Sequence, residues 1–419
     1  MIRRYLLTPL LNSLKHFPVV LLTGARQVGK STLAQELIGK SWSALYLTLD
    51  DRAVLDAALR DPDGFISGTP TPVVIDEVQK APDVLRAIKR VVDRDRRPGQ
   101  YFLTGSANLM TLASVSESLA GRVAVHTLYP FCWPERVEKP PPSILKDVFE
   151  VKTAKDLIKQ LSRPRGKDYR KEITHSILAG GYPVPTLMSS DEARHVWFSS
   201  YRQTYLERDL LSVKSIENMP DFNRLLSLVA FRTGGLLNQS DLSRETGLPF
   251  TTLRRYMNLL EVTYQAFLLH PYFRNVGKRL VKTPKLYMSD TGMMSHLRGT
   301  DTWASLEHQG QVGAAVETWV ASELLKLLSV SDPRFQLYFW RTQAGQEVDF
   351  LVERGGKLVS IEVKWGHRIS DSDAANLERC AQDLKDQVLF SIILYGGTEI
   401  VPLGPRLLGI PFSVFFGVE

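Results

Sequence analysis

The sequence predicts an α/β protein built on a parallel sheet, and three observations carry that reading. Short apolar runs at 17–23, 44–49, 72–75, 101–104 and 123–128 alternate with helical patterns, as buried parallel strands joined by crossover helices do. A glycine-rich turn, Gly24-Ala25-Arg26-Gln27-Val28-Gly29-Lys30-Ser31, follows the first run and opens a helix at 32–38. After a mainly helical stretch at 172–300, a second mixed pattern fills 310–419.

Taken in order, residues 1–16 read as an amphipathic helix, with Leu6, Leu7, Leu10, Leu11 and Leu14 on one stripe. Its faint likeness to a secretory signal is broken by Asn12, Lys15 and His16 and by the lack of a small-residue cleavage site. Pro130, Pro134 and Pro140-Pro141-Pro142, followed by a polar stretch at 163–168, interrupt regular structure and mark a boundary. The expected domains are 1–135, a helical linker at 136–230, a helix-turn-helix region at 231–300 and a mixed domain at 301–419. In the last, a helix at 312–328 precedes strands at 336–340, 348–353 and 358–364 and a helix at 370–386.

Composition narrows the class. At roughly 100–200 residues per domain, 419 residues make two to four domains. An apolar fraction of 44% and a charged fraction of 23% exclude collagen-like, mucin-like and wholly disordered chains. Lys and Arg number 52 against 45 Asp and Glu, so the net charge is +7, which permits an anionic partner without requiring one. Cys132 and Cys380 are too few and too far apart for a disulfide framework or a zinc cluster. No apolar run reaches the ~18–20 residues of a membrane helix. The expectation is a cytoplasmic chain with no membrane segment.

The turn at Gly24 fits G-x-x-x-x-G-K-[S/T] between a strand and a helix. Its glycines let the backbone wrap a phosphate, its N–H groups point inward, and the helix presents its positive end. Lys30 is placed for the β- and γ-phosphates, Ser31 for Mg²⁺, and the turn from Gly24 through Thr32 is the expected nucleotide cradle. Val73-Val74-Ile75-Asp76-Glu77 is an apolar strand ending in two acids. Asp76 is read as a Mg²⁺ ligand and Glu77 as the base that orients and deprotonates water. Thr104, Ser106 and Asn108 are candidates for sensing the γ-phosphate, with capping as the alternative for the last two. Arg122 has two readings, a phosphate contact in cis or in trans and a surface ion pair; Arg26 is a further phosphate-facing candidate.

In the middle region, helices at 240–245 and 250–260 flank Gly247, with Thr251, Thr252, Arg254 and Arg255 on the second helix and wing strands expected at 267–272 and 285–288. Such an element either enters the DNA major groove or bridges domains. Near the carboxyl end, Asp349 precedes Glu362 and Lys364, which share one strand face. Paired strands would set Asp349 beside them, so that two carboxylates hold Mg²⁺ and the lysine activates water, with Glu317 as a third acid. A structural ion-pair network is the competing account.

The whole chain resembles the prokaryotic AAA-type P-loop ATPases fused to a carboxyl-terminal domain of unknown function, itself similar to PD-(D/E)-x-K restriction-endonuclease-like folds. The blocks that carry this are Gly24 to Thr32, Val74 to Glu77, Thr104-Gly105-Ser106, Gly180-Gly181-Tyr182-Pro183, Tyr205-Leu206-Glu207-Arg208-Asp209, Lys285 to Gly292 and Glu347 to Lys364. The resemblance implies an AAA-type ATPase module, a winged-helix region and an endonuclease-like α/β module. It carries ATP and Mg²⁺ binding onto Lys30, Ser31 and Asp76 and catalysis onto Glu77. The expected function is ATP hydrolysis coupled to a DNA-handling domain. Two alternatives stand beside it: a nucleotide-dependent switch that binds a protein partner through an inactive nuclease-like scaffold, and an ATP-gated Mg²⁺-dependent DNA nuclease. An oligomer is expected only if Arg122 acts in trans.

Overall fold

The structure is a computed structural model and describes residues 2–40, 42–105, 119–161, 166–207, 218–273 and 282–419. The chain separates into two compact units, one comprising Arg3–Pro130 with Leu259–Gln265, the other Phe131–Asn258 with Ala266–Glu419.

The first unit holds a five-stranded sheet of β1 (Val19–Thr23), β2 (Leu45–Thr48), β3 (Val73–Asp76), β4 (Tyr101–Thr104) and β5 (Val123–Thr127). The order is β2-β3-β4-β1-β5 and every pairing is parallel. The three inner strands are buried at every residue, which explains their unbroken apolar runs, whereas β2 and β5 at the edges keep exposed positions. Helix Asp83–Arg94 buries Val84, Leu85, Ala87, Ile88 and Val92, a single helical stripe, against this sheet's core. Asp83 in its first turn and Arg94 in its last match the helix dipole. The pairings Leu22 with Thr104 and Thr48 with Asp76 bring the carboxyl ends of neighbouring strands level, at the edge where such sheets bind ligands.

The second unit contains an antiparallel pair, β6 (Ala266–Leu269) with β7 (Lys285–Met288), and a six-stranded sheet. The sheet comprises β8 (Phe335–Arg341), β9 (Glu347–Arg354), β10 (Lys357–Lys364), β11 (Val388–Tyr395), β12 (Val401–Gly404) and β13 (Leu407–Pro411), ordered β12-β13-β11-β10-β9-β8. Strands β10, β11 and β13 run parallel and the other pairs antiparallel. The β9–β10 hairpin turns on Gly355 and Gly356, both at positive φ, a conformation two adjacent glycines adopt without a Cβ clash. Helix Val312–Ser329 is held by a buried pair: Lys326 Nζ lies 2.9 Å from Glu323, and Glu323 also accepts from the Trp133 backbone N–H at 2.6 Å. Both charges are hydrogen-bonded, which offsets their desolvation.

Helices Gln239–Thr246 and Phe250–Val262 flank Gly247 at φ 72, and β6–β7 follow as a strand pair. Thr251 and Arg254 are exposed on the second helix. The blocks around Gly180 and Asp290 meet. Asp290 Oδ2 accepts from the Gly181 N–H at 2.7 Å, and a Cβ on Gly180 would lie 2.3 Å from the same carboxylate. Close backbone approach accounts for those residues. Among the described residues, no helix is long and apolar enough to cross a membrane.

Candidate nucleotide site and a second charged corner

The turn after β1 wraps through Gly24 at φ 142, Gln27 at φ 60 and Gly29 at φ 94. A Cβ on Gly24 would lie 2.2 Å from the Leu128 carbonyl oxygen, so the loop passes β5 too closely for any other residue. Lys30 is buried, and its Nζ donates to the carbonyls of Gly24 at 3.0 Å and Ala25 at 2.8 Å. Burial draws its ammonium down to about 8, against the pull of Glu77 and Asp76. A desolvated cation satisfied only by loop carbonyls suits an incoming phosphate. Ala25 and Val28 are buried, whereas Gln27 and Thr32 face solvent and Arg26 lies between.

Asp76 is buried at the end of β3 and accepts three hydroxyls. Ser31 Oγ and Tyr46 Oη each donate to Oδ2 at 2.8 Å, and Thr104 Oγ1 donates to Oδ1. Burial, and then the bond to Asp76, hold the Tyr46 phenol above its ordinary range. Thr104 also accepts the Glu77 backbone N–H at 3.2 Å. Glu77 stands at φ 58, ψ 42, left-handed and uncommon outside glycine and asparagine, and its carboxylate accepts from Gln79. The hydroxyl–carboxylate pair of Ser31 and Asp76 is the hard-oxygen donor set that Mg²⁺ takes. Arg122 donates to Asp93 and, at 2.8 Å, to the Ala120 carbonyl. Ser106 and Asn108 lie outside the described residues, as do Arg208 and Asp209.

In the second unit, β9 and β10 pair so that Asp349 comes one step beyond the Phe350–Ile361 pair, and its Oδ2 accepts from the Val363 N–H at 2.8 Å. Lys364 Nζ lies 3.2 Å from Glu362 and 3.6 Å from Asp373. Enclosure by protein, then Glu317 and Glu362, push the Asp349 carboxyl well above its usual range. Burial likewise raises Glu362, with Lys364 opposing. Glu362 Oε2 is buried with no hydrogen-bond partner, an orphaned acceptor that fits a cation. Glu317 lies close enough to act on both Asp349 and Glu362, and is itself held by Lys285 Nζ at 2.8 Å and by Tyr287 Oη, which donates to it at 2.6 Å. Lys285 also lies 2.5 Å from Glu347. Among the described residues, no three carboxylate, imidazole or thiol groups converge as a metal site.

Over 411 residues the chain is 32% identical to the uncharacterized protein Rv2008c of Mycobacterium tuberculosis, an alignment that spans 98% of this chain and 83% of that protein. The chain belongs to the Rv2008c family. A more distant relative, the uncharacterized protein MJ1544 of Methanocaldococcus jannaschii, is 23% identical over 388 residues, 89% of this chain and 81% of its own. Residues 16–137 match the AAA domain family, 170–304 a domain of unknown function, DUF8612, and 312–414 another, DUF4143. A P-loop ATPase domain of AAA type, on its parallel sheet, therefore precedes a DUF4143 domain. Among solved structures, the Walker-type ATPase PABY2304 of Pyrococcus abyssi is similar with a TM-score of 0.44 and 16% identity, over 71% of this chain and 96% of that one.

Tyr46, Asp373, Lys285, Tyr287 and Glu347 are members of this Rv2008c-family chain's charged centres that sequence reasoning did not single out for a role. One signal was available for the last three. Lys285 and Tyr287 alternate on one face of an otherwise apolar strand, and a lysine that is only 3% exposed there needs a carboxylate.

Proposed function

We propose that this chain is a Mg²⁺-dependent ATP hydrolase whose nucleotide state is coupled to a nuclease-like, DNA-handling carboxyl-terminal module, within the cytoplasm. The observation that supports it best is the cluster of Lys30, Ser31, Asp76, Glu77 and Thr104 at one sheet edge.

In this reading Lys30 exchanges the Gly24 and Ala25 carbonyls for the β- and γ-phosphate oxygens, and the amides from Arg26 through Thr32 complete the cradle. Ser31, and Asp76 directly or through water, would hold Mg²⁺, which would supply charge neutralisation at the phosphates. Glu77 orients the attacking water in line with the γ-phosphate and takes its proton. Thr104 fixes Glu77 through its backbone while bonding Asp76, so base and metal ligand share one anchor. Arg122 would act on phosphate, in cis or in trans, only after leaving Asp93, and only the trans role requires an oligomer. The helices around Gly247 and the β6–β7 pair are read as a winged helix, with Thr251 and Arg254 toward DNA. Asp349, Glu362 and Lys364 are read as a restriction-endonuclease-like corner in which the two carboxylates would hold Mg²⁺; the orphaned Glu362 oxygen supports this.

A second reading rests on Lys285. Its ammonium already neutralises Glu317 and Glu347, which favours an inactive nuclease-like scaffold and a nucleotide-dependent switch that binds a protein partner. Steady-state ATP turnover with and without duplex and single-stranded DNA, at about 50 and 200 mM salt, separates the two. Turnover that rises with DNA at low salt supports coupling. Turnover indifferent to DNA, with no DNA retention at low salt, moves the weight to the switch. Mg²⁺-dependent nicking lost in Asp349→Ala establishes cleavage; nicking unchanged in that variant refutes this corner as its source.

A further inference from the structure

A cavity of about 460 Å³ opens in the second unit and includes Trp365, the residue that follows Lys364. That volume lies within the ~300–1,000 Å³ of ligand pockets. Arg170, Lys171 and His175 come from helix Arg170–Ala179, Arg194 from helix Asp191–Tyr201, and Trp303 from the start of helix Trp303–His308. The Trp303 and Trp365 rings lie 4.9 Å apart at 50°, and Trp365 is braced on Phe412 at 6.4 Å.

The lining favours an anion. Arg170 is held by Asp168, and Arg194 by Asp191 and the Met188 carbonyl. Lys171 is exposed and pairs with no carboxylate among the described residues. Asp191 and Glu307 are the carboxylates of the wall, against the cations Arg170, Lys171 and Arg194. Desolvation first, then Arg136 and Arg194, hold the His175 imidazole below its ordinary range.

We propose that this cavity binds one nucleotide unit of a single-stranded nucleic acid, its base on Trp303 and Trp365 and its phosphate on Lys171. Aromatic faces accept any base, and a basic rim tracks the backbone. Trp365 directly follows Lys364, the last residue of β10, so the cavity begins at the strand end that carries the Asp349–Glu362–Lys364 corner. The choice of a strand over a free nucleotide rests on the nuclease-like reading of that corner.

The test is fluorescence anisotropy of a fluorescein-labelled oligothymidylate with the full chain carrying Lys30→Ala, which silences the nucleotide loop. Trp365→Ala should weaken binding roughly 5- to 150-fold, and Trp365→Phe should restore most of it. Lys171→Ala, at an exposed position that leaves folding intact, should weaken binding and lower the salt slope by about one. Wild-type affinity in both Trp365→Ala and Lys171→Ala, or no binding at about 50 mM salt, overturns the proposal. Thymidine monophosphate that competes as well as the oligonucleotide, and depends on Trp365, overturns the assignment of a strand. Binding retained in Asp349→Ala while nicking is absent from wild type sinks the nuclease reading and leaves this site standing.

Discussion

Ser31 Oγ donates to Asp76 Oδ2 at 2.8 Å, joining the first turn of the helix after the phosphate loop to the end of β3, 45 residues away. The same carboxylate takes hydroxyls from Tyr46, two residues before the end of β2, and from Thr104, at the end of β4. One buried acid thus ties together three strand ends and the loop. That arrangement follows from the strand order, which inserts β4 between β1 and β3.

Thr104 bonds both Asp76 and the backbone of Glu77. Thr104→Val removes both bonds at nearly constant volume. It should lower kcat for ATP on the order of tenfold or more, because the base is no longer positioned, with KM changed little. Thr104→Ser should retain most activity. Steady-state kinetics decide; an unchanged kcat in Thr104→Val contradicts the role.

Gly24→Ala sets a Cβ 2.2 Å from the Leu128 carbonyl oxygen, at φ 142. The expected cost is about 1–3 kcal/mol, read as a lower urea midpoint, together with weaker ATP binding. Wild-type stability would mean that the loop can leave β5 freely.

Against the cost of burial, Glu317, Asp349 and Glu347 hold the Lys285 ammonium above its ordinary range. Lys285→Met removes that cation and leaves the carboxylates crowded, which should destabilise the chain by about 3 kcal/mol. Adding Glu317→Gln should recover part of the loss, a coupling that a double-mutant cycle measures. Strict additivity would contradict the pairing.

His296 supplies a pH dependence. Burial, then His195 and Arg202, lower its imidazole to about 4, with Asp301 opposing. The unfolded chain takes up this proton near ~6.5, so the unfolded state binds more protons between those values. The contribution is therefore complete above about 6.5 and declines as pH falls toward 4. Urea midpoints measured across that window should flatten in His296→Gln; an identical slope would assign the dependence to other groups.

Much of the first unit was legible because its chemistry is local. The loop, its strand and its helix are contiguous, and the five apolar runs place the strands to within about two residues at each end. Asp76 and Glu77 announce themselves as acids closing an apolar strand. Gly247 was equally readable, since positive φ is a property of a single residue. Tyr46 was not legible: its bond to Asp76 depends on β2 lying beside β3, which no local pattern specifies. Lys285 on Glu317 was hidden in the same way, because β7 must pack against helix Val312–Ser329 before the two charges meet. The cavity beside Trp365 gathers residues from four segments and leaves no signature in any one of them.

The central claim is that Glu77 is the base of an ATP-hydrolysing site. The most direct measurement pairs ATP binding with single-turnover hydrolysis in wild type and Glu77→Gln. Glu77→Gln is expected to bind ATP with wild-type affinity and to hydrolyse it roughly 10²–10⁴-fold more slowly. Hydrolysis at the wild-type rate in Glu77→Gln would contradict the account.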